Sequence, residues 1–202
     1  MSRRDENAAA TRTALVEGAA RLFTEDGYQQ VSVERIAARA RVTKGAVYHW
    51  FPTKKALFQA ALELVDDRTM SAITAATETA PTPWDMLERG LDAFLDRCLA
   101  ADYQRICFHD GPRALGFVTW WEHAESHVEG ALTTILTTLS DDDLITTTSP
   151  PALATTLYGA LTAAALAISR ADDPQTTRDL MGVTINELLH GLRAEPPDTM
   201  PE

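Results

Sequence analysis

Residues 43–55 constrain the fold more strongly than any other stretch, because they predict two helices separated by a tight break at Pro52. At about 100° per residue, Val47 and Phe51 share one face of the first helix. Residues 48–51 all carry rings and together cover most of the circumference of that helix, so some of these rings must face solvent. The stretch therefore predicts a short helix with a buried apolar face and exposed aromatic side chains.

Lysines stand at the start of both helices in this stretch. Thr43 is a suitable N-cap and places Lys44 in the first turn of one helix, and Thr53 does the same for Lys54 in the next. The helix macrodipole disfavours cations at these positions. Lysines at two helix starts beside exposed aromatic side chains therefore favour a polyanionic partner. A solvated basic turn is the alternative interpretation of the stretch alone.

Charge is divided unequally along the chain. The formal net charge is −11, yet residues 1–57 carry ten Lys and Arg against six Asp and Glu, whereas residues 58–202 carry eight against twenty-three. A basic head (residues 1–57) joined to an acidic body (residues 58–202) indicates two separate roles. We therefore expect a domain boundary at residue 57, with nucleic-acid binding confined to the head.

Composition favours an intracellular protein. Cys98 and Cys107 form no Cys-x-x-Cys pair, and the first seven residues lack the apolar region of a signal peptide. Both observations favour reduced thiols and a cytoplasmic location. The most apolar run, residues 152–168, is interrupted by threonine, tyrosine and glycine, so we expect a buried helix rather than a membrane span.

Apolar periodicity predicts an all-α fold of about nine helices. The predicted helices cover residues 8–26, 33–40, 44–50, 53–79, 84–101, 103–109, 118–139, 152–170 and 174–193. Gly27 is expected to end the first helix, and Asp-Gly-Pro at 110–112 to interrupt the chain after the sixth. The second and third helices, separated by a three-residue turn and braced by the first, make a helix-turn-helix.

Four motifs of the head follow one another in a fixed order. They are Phe-Thr-Glu-Asp-Gly-Tyr at 23–28, Val-Ser-Val-Glu-Arg-Ile-Ala at 31–37, Thr-Lys-Gly-Ala-Val-Tyr-His-Trp-Phe at 43–51 and Pro-Thr-Lys-Lys-Ala-Leu at 52–57. Together they resemble the TetR family of bacterial transcriptional regulators over residues 10–57. Trp50 departs from the small polar and other aromatic residues that are common there, and the body resembles the family only in its helical layout.

The resemblance implies a homodimer that binds a palindromic operator in double-stranded DNA through two heads, and that a small ligand in the body releases. It implies DNA contacts at Thr43, Lys44, Gly45, Tyr48, His49 and Lys54. The side-chain chemistry agrees, because ammonium groups neutralise phosphates and a tyrosine hydroxyl donates to a phosphate oxygen. Arg41 flanks the turn and is expected to add a contact. We expect a repressor, with an activator of the same fold and a helical protein-interaction module as the alternatives.

Aromatic residues concentrate in the body and predict an effector pocket. Six lie within residues 94–121, whereas only Tyr158 follows them. Pockets are lined by aromatic side chains with a few polar groups, although a cluster at helical spacing also fits an ordinary core. The expected lining residues are Phe94, Cys98, Tyr103, Cys107, Phe108, Phe117, Trp120, Trp121, His123 and His127. We expect a largely apolar, partly aromatic effector, with or without a positive charge.

Neither a metal centre nor an enzymatic site is expected. His123 and His127 lie four residues apart, at a spacing that suits one metal ion on a helix. The residues between them do not form His-Glu-x-x-His, which favours hydrogen-bonded or solvated histidines. The chain also lacks a Gly-x-Ser-x-Gly motif, a phosphate-binding glycine loop and a nucleophile beside a base. We therefore expect no cofactor and no catalytic residue.

The last two predicted helices are expected to form the dimer interface. Small residues on them allow close contact between helices, and leucines supply apolar area. The expected interface residues are Leu153, Leu157, Gly159, Ala160, Leu161, Ala164, Ile185, Leu188, Leu189 and Leu192. An intrachain core is the alternative, and the layout of the TetR family, in which the last two helices pair across a two-fold axis, favours the interface.

Overall fold

The computed structural model describes residues 3–194, apart from the side chains of residues 3, 4, 7 and 124–127. The described residues form nine α-helices and one π-helix, and their only β-type pairing is an isolated bridge between Ile145 and Arg193. The predicted all-α fold is confirmed. The elements are α1 (Arg3–Gln30), α2 (Val33–Arg39), α3 (Lys44–Trp50), α4 (Lys54–Thr77), α5 (Pro83–Arg97), the π-helix (Tyr103–Asp110), α6 (Gly111–Leu115), α7 (Phe117–Asp141), α8 (Pro150–Arg170) and α9 (Pro174–His190).

The helices pack into two compact units. The first contains residues 3–71 and 97–124, and the second contains residues 72–96 and 125–194. Helices α4 and α7 contribute residues to both units. These packing units do not follow the division at residue 57, which concerns function and stays a prediction.

The core of the first unit is built around α1 and its end. Gly27 has a φ of 81° and a ψ of 159°, a conformation almost restricted to glycine, and it ends the regular part of α1 as predicted. The ring of Tyr28, just beyond it, lies 4.9 Å from the ring of Phe58, and the ring of Phe23 lies 5.2 Å from that of Phe58. Phe23 and Phe58 are fully buried, so these rings join α1 to α4.

A π-helix occupies the place of the predicted sixth α-helix. Its widened turn is an uncommon conformation that is frequently found at functional sites. The predicted interruption at residues 110–112 is wrong, because Gly111 keeps helical angles and Pro112 stands in the first turn of α6, where no intrahelical amide donor is required. The chain changes direction instead at Gly116, where φ is 89° and ψ is 147°.

The second unit is held by apolar packing and by polar contacts, among them those of Arg178. On α5, Trp84, Leu87 and Leu91 are buried along one face. The guanidinium of Arg178 on α9 contacts Oδ1 of Asp96 at 2.8 Å and Oδ1 of Asp92 at 3.0 Å, which joins α9 to α5.

Helix α8 is the most apolar helix among those described. By length and composition alone it is able to cross a membrane, a criterion that the core helix of a soluble protein also meets, and 44% of its apolar window is buried. Its buried residues Leu157, Leu161 and Ile168 belong to the core of the second unit.

Candidate functional site

Helices α2 and α3 form a helix-turn-helix with a side-chain cap at each start. Oγ of Ser32 accepts a hydrogen bond from the amide of Arg35 at 3.3 Å, and Oγ1 of Thr43 accepts one from the amide of Ala46 at 3.2 Å. Between the helices, Arg41 has a φ of 56°, in the left-handed region that non-glycine residues rarely adopt. The caps and this turn fix the angle at which α3 leaves α2.

Helix α3 has one buried face and one exposed face. Val47 and Phe51 are 1% and 5% exposed, which confirms the prediction that they belong to the core. Tyr48 is 43% exposed, and Lys44 and His49 are exposed as well. Because Lys44 and Tyr48 lie four residues apart, they stand on the same side of α3. Thr43, Gly45 and Arg41 are exposed nearby.

The ammonium group of Lys44 is held by two neighbours. Nζ lies 2.5 Å from Oε1 of Glu34 in the first turn of α2, and 5.8 Å from the centre of the Tyr48 ring. The hydrogen bond with Glu34 raises the pKa of Lys44, and the same bond lowers the pKa of the Glu34 carboxyl. The sequence alone does not predict this pair, because Glu34 and Lys44 are ten residues apart in different helices and no local pattern indicates a bond between them.

The two lysines at the start of α4 differ in environment. Nζ of Lys54 lies 4.4 Å from the centre of the Tyr28 ring and 3.5 Å from the carbonyl oxygen of Gln29, and partial burial lowers the pKa of this lysine. Nζ of Lys55 instead donates to the carbonyl oxygen of Leu115 at 3.1 Å. The predicted cap at Thr53 is present, since its Oγ1 accepts from the amide of Ala56.

Most of the predicted pocket residues come together in the first unit. Neighbouring ring centres lie 5.2–6.4 Å apart along a chain of aromatic contacts. The residues in this chain are Tyr103, Phe108, Trp120, Phe117 and Trp121. Trp120 is 2% exposed, whereas Phe117 is 63% exposed, so the cluster runs from the core to the surface.

Asp66 is a buried acidic residue beside this aromatic cluster that sequence analysis missed. Oδ2 of Asp66 lies 2.8 Å from Nε2 of His123, and Oδ1 lies 3.8 Å from Sγ of Cys107. The hydrogen bond with Asp66 raises the pKa of His123, and burial raises the pKa of the Cys107 thiol. Asp66 occupies an inward position of α4, between Leu62 and Thr69, where periodicity predicts an apolar residue. An acidic residue at an inward position of α4 was the feature of the sequence that pointed to Asp66.

Arg97 continues the polar network next to the aromatic cluster. Its Nε donates to Oγ1 of Thr69 at 3.2 Å, and its Nη2 donates to Oδ1 of Asp102 at 3.1 Å. Its guanidinium also lies 5.6 Å from the centre of the Tyr103 ring. The first unit thus places charged and aromatic side chains side by side, which suits a ligand with both kinds of group.

The remaining predicted pocket residues differ in placement. Cys98 is buried in the first unit, Phe94 is buried in the second unit, and the side chain of His127 lies outside the described residues. Within the described residues, no three His, Cys, Asp or Glu side chains are arranged to hold a metal ion.

Half of the predicted dimer residues are already buried within the single chain. Leu157, Leu161, Ala164, Ile185 and Leu189 are each at most 7% exposed, so they have little area to offer a partner. These five side chains belong to the core of their own unit, and their part in a dimer stays a prediction. Leu153, Gly159, Ala160 and Leu192 are partly exposed, and Leu188 is 64% exposed.

The exposed face of α9 contains two further apolar residues that sequence analysis missed. Leu180 and Val183 are 61% and 58% exposed, and they share this surface with Leu188. On α8, a Cβ placed at Gly159 would meet no atom within 4 Å, so space is open there for another backbone.

A capped helix-turn-helix with an exposed second helix, in an all-α chain, defines a DNA-binding transcriptional regulator. Residues 15–61 match the family model "Bacterial regulatory proteins, tetR family", and residues 84–192 match "Tetracyclin repressor-like, C-terminal domain". The chain belongs to the TetR family of transcriptional regulators.

Individual relatives agree with this assignment. The chain is 40% identical to the transposon Tn10 TetC protein of Escherichia coli over 91 residues, which are 45% of this chain and 46% of that protein. It is 32% identical to the HTH-type transcriptional repressor BepR of Brucella suis over 111 residues, or 54% of this chain and 52% of that protein. The chain thus matches about half the length of these curated relatives.

The fold agrees over nearly the whole chain. A TetR-family transcriptional regulator from Pectobacterium atrosepticum superposes with a TM-score of 0.83 at 28% identity. The superposition covers 97% of this chain and 100% of that one.

Proposed function

We propose that this regulator is a cytoplasmic repressor that binds a palindromic operator as a homodimer and releases it when a small, largely apolar effector binds. The observation that carries the proposal is the exposed face of α3, which presents Lys44, Tyr48 and His49 while Val47 and Phe51 fix its other face in the core. In helix-turn-helix proteins the second helix enters the major groove. A dimer would set two such helices about 34–36 Å apart, one turn of DNA.

The side chains of α3 and α4 are suited to two different kinds of DNA contact, one with phosphates and one with base edges. The hydroxyl of Tyr48 and the ammonium group of Lys54 are suited to phosphate oxygens, which fix the position of the protein on the duplex. His49 is suited to a phosphate or a base edge. Lys55 contributes less, because its ammonium group already donates to Leu115.

The buried polar and aromatic groups of the first unit support an effector with an aromatic, positively charged or hydrogen-bonding part. Asp66 supplies a carboxylate, His123 supplies a titratable ring, and Trp120 supplies a large apolar surface. A carboxylate among aromatic rings is a favourable environment for a cation.

Contacts inside the first unit supply a route from this site to the DNA-binding helices. Cys107, which neighbours Asp66, lies within the π-helix, and Asp110 at the end of that helix accepts a hydrogen bond from the amide of Tyr28. The ring of Tyr28 in turn lies under the ammonium group of Lys54. An effector that binds one arrangement of the π-helix more tightly than another would shift the population of DNA-competent molecules.

Repression is favoured over activation by the similarity to BepR, which is named a transcriptional repressor. Activation by the same fold remains the second candidate. Expression of a reporter behind the operator, with and without the regulator, distinguishes the two.

DNA binding is tested by fluorescence anisotropy of the DNA upstream of the regulator's own gene with wild-type protein, Tyr48→Phe and Tyr158→Phe. Both substitutions remove one tyrosine hydroxyl, and Tyr158 is a buried residue of the second unit. We expect Tyr48→Phe to weaken binding about 5-fold and Tyr158→Phe to leave it unchanged. Equal affinities for wild type and Tyr48→Phe would contradict the assigned role of α3.

Effector binding is tested by quenching of tryptophan fluorescence with three probes: tetraphenylphosphonium, its uncharged analogue triphenylphosphine oxide, and benzoate. We expect the cation to bind most tightly and to lose affinity in Asp66→Asn, whereas the uncharged analogue should bind both proteins alike. Binding of benzoate alone would refute an apolar or cationic effector.

A further inference from the structure

Glu34 is out of place on a surface that meets DNA. Its side chain is 58% exposed, and it lies in the first turn of α2 beside the first residue of α3. A carboxylate in this position repels phosphates and weakens non-specific binding. Exposed ion pairs contribute little to stability, so the bond to Lys44 does not by itself explain a carboxylate here.

The pair also changes the charge that Lys44 presents to DNA. With Nζ held 2.5 Å from Oε1 of Glu34, the unit formed by the two side chains carries no net charge. It therefore adds no net positive charge toward the phosphates. It does present a donor-only ammonium group directly beside an acceptor-only carboxylate. Such an arrangement suits a surface with acceptors next to a donor.

We propose that Glu34 and Lys44 together read one G·C base pair in each half of the operator. In the major groove, guanine shows two adjacent acceptors, N7 and O6, and the paired cytosine shows the N4 donor next to them. Lys44 would donate to the guanine while Glu34 accepts from the cytosine. An A·T pair fits less well, because the adenine N6 donor separates adenine N7 from thymine O4, so one ammonium group does not meet two adjacent acceptors there. The thymine methyl group also lies beside O4.

The position of the pair supports base reading over phosphate binding. In helix-turn-helix proteins the residues at the start of the second helix contact base edges, and Lys44 is the first residue of α3. The ring of Tyr48 lies on the other side of the ammonium group, 5.8 Å from Nζ, and helps to hold it in one orientation. This inference rests on the proposed operator binding and gives Lys44 a different contact from the phosphate expected of it in the sequence.

Selection of bound sequences from a randomised DNA library tests the inference with the full chain. The wild type should select sites with a G·C pair at one equivalent position of each half. In Glu34→Gln and in Lys44→Met, we expect the preference at that position to fall by roughly 5-fold or more, with the other positions unchanged. Glu17→Gln is the matched control, because Glu17 is likewise an acidic residue in an ion pair, with Arg21 in α1, and its side chain is 41% exposed.

The salt dependence of binding tests a second consequence of the pair, namely that Glu34 cancels the charge of Lys44 at the DNA-binding surface. Glu34→Gln frees the ammonium group of Lys44, so non-specific binding should become tighter and its salt slope steeper by about one per head. An unchanged base preference in Glu34→Gln, or an equal loss at every position, overturns the inference while the proposed function stands. A wild-type chain that selects no sequence overturns both.

Discussion

The backbone amide of Tyr28 donates a hydrogen bond of 2.7 Å to Oδ2 of Asp110, a carboxylate 82 residues further along the chain. Asp110 is 6% exposed, and the same oxygen accepts from Nε of Arg105 at 3.2 Å. One buried carboxylate therefore joins the end of α1, beside the helix-turn-helix, to the last residue of the π-helix. The bond gives the π-helix a direct connection to the element that braces the DNA-binding helices.

Removing this carboxylate should destabilise the protein. Asp110→Ala leaves the partly buried amide of Tyr28 without its acceptor, and we expect the free energy of unfolding in urea to fall by about 1–3 kcal/mol. Asp110→Asn keeps one acceptor oxygen, so its free energy of unfolding should fall by less than that of Asp110→Ala. The control is Asp142→Ala at an exposed position, which should change stability by no more than about 0.5 kcal/mol. Equal stabilities for Asp110→Ala and the control would show that the bond is dispensable.

Two glycines with positive φ allow the effect of backbone strain to be separated from the effect of a steric clash. At Gly116, with a φ of 89°, an added Cβ meets no atom within 4 Å. The backbone strain that Gly116→Ala introduces should therefore be its only effect, and it should lower the free energy of unfolding by about 1–3 kcal/mol. At Gly27, with a φ of 81°, the Cβ would lie 1.9 Å from Nη2 of Arg105. Gly27→Ala should therefore also displace Arg105 from Asp110.

The additional loss of stability in Gly27→Ala is measured by urea unfolding of both substitutions in an Arg105→Ala background. There the decrease in the free energy of unfolding caused by Gly27→Ala should approach that caused by Gly116→Ala. The decrease caused by Gly116→Ala should be the same in both backgrounds. If Arg105→Ala leaves the cost of Gly27→Ala unaltered, the guanidinium moves away freely and the clash has no energetic consequence.

His123 should make stability depend on pH. Its hydrogen bond with Asp66 raises the pKa of His123 in the folded protein above the unfolded value near 6.5. A raised pKa means that the folded state binds the proton more tightly, so the stabilisation is complete below about pH 6.5 and is lost as pH rises through the folded pKa. The advantage of wild type over His123→Gln, measured by urea unfolding from pH 5.5 to 8.5, should shrink with rising pH. An advantage that grows with pH would mean that burial, which lowers the pKa, outweighs the bond to Asp66.

Local features of the head were predictable because they depend on neighbours in the sequence. The caps at Ser32, Thr43 and Thr53 and the buried pair Val47 and Phe51 follow from residue type and helical spacing. Each of these features is determined within about four residues. The bounds of α3, residues 44–50, were predicted for the same reason.

Features that depend on distant contacts were not predictable. The bond between Glu34 and Lys44 requires the angle between two helices, and the bonds of Asp66 require three elements to meet. The π-helix at 103–110 has the same apolar spacing as an α-helix over so short a range, so periodicity does not separate the two. The burial of Leu161 within its own chain likewise depends on packing that sequence analysis does not supply.

The exposed apolar face of α9 should mediate dimerisation. Leu188 and Leu180 are 64% and 61% exposed, and a charge placed there is solvated in a monomer but buried without a partner in a dimer. We expect Leu188→Glu to raise the dissociation constant of the dimer by roughly 10-fold or more, as measured by light scattering over a concentration series. Operator affinity should fall with it, since a monomer presents only one α3.

Leu144→Glu is the matched control for this substitution. Leu144 is also an exposed leucine, at 41%, but it lies outside α8 and α9. The control should remain a dimer with unchanged operator affinity. A wild-type protein that is monomeric at micromolar concentration would refute the interface, and dissociation by both substitutions would show that added negative charge, rather than the face of α9, controls assembly.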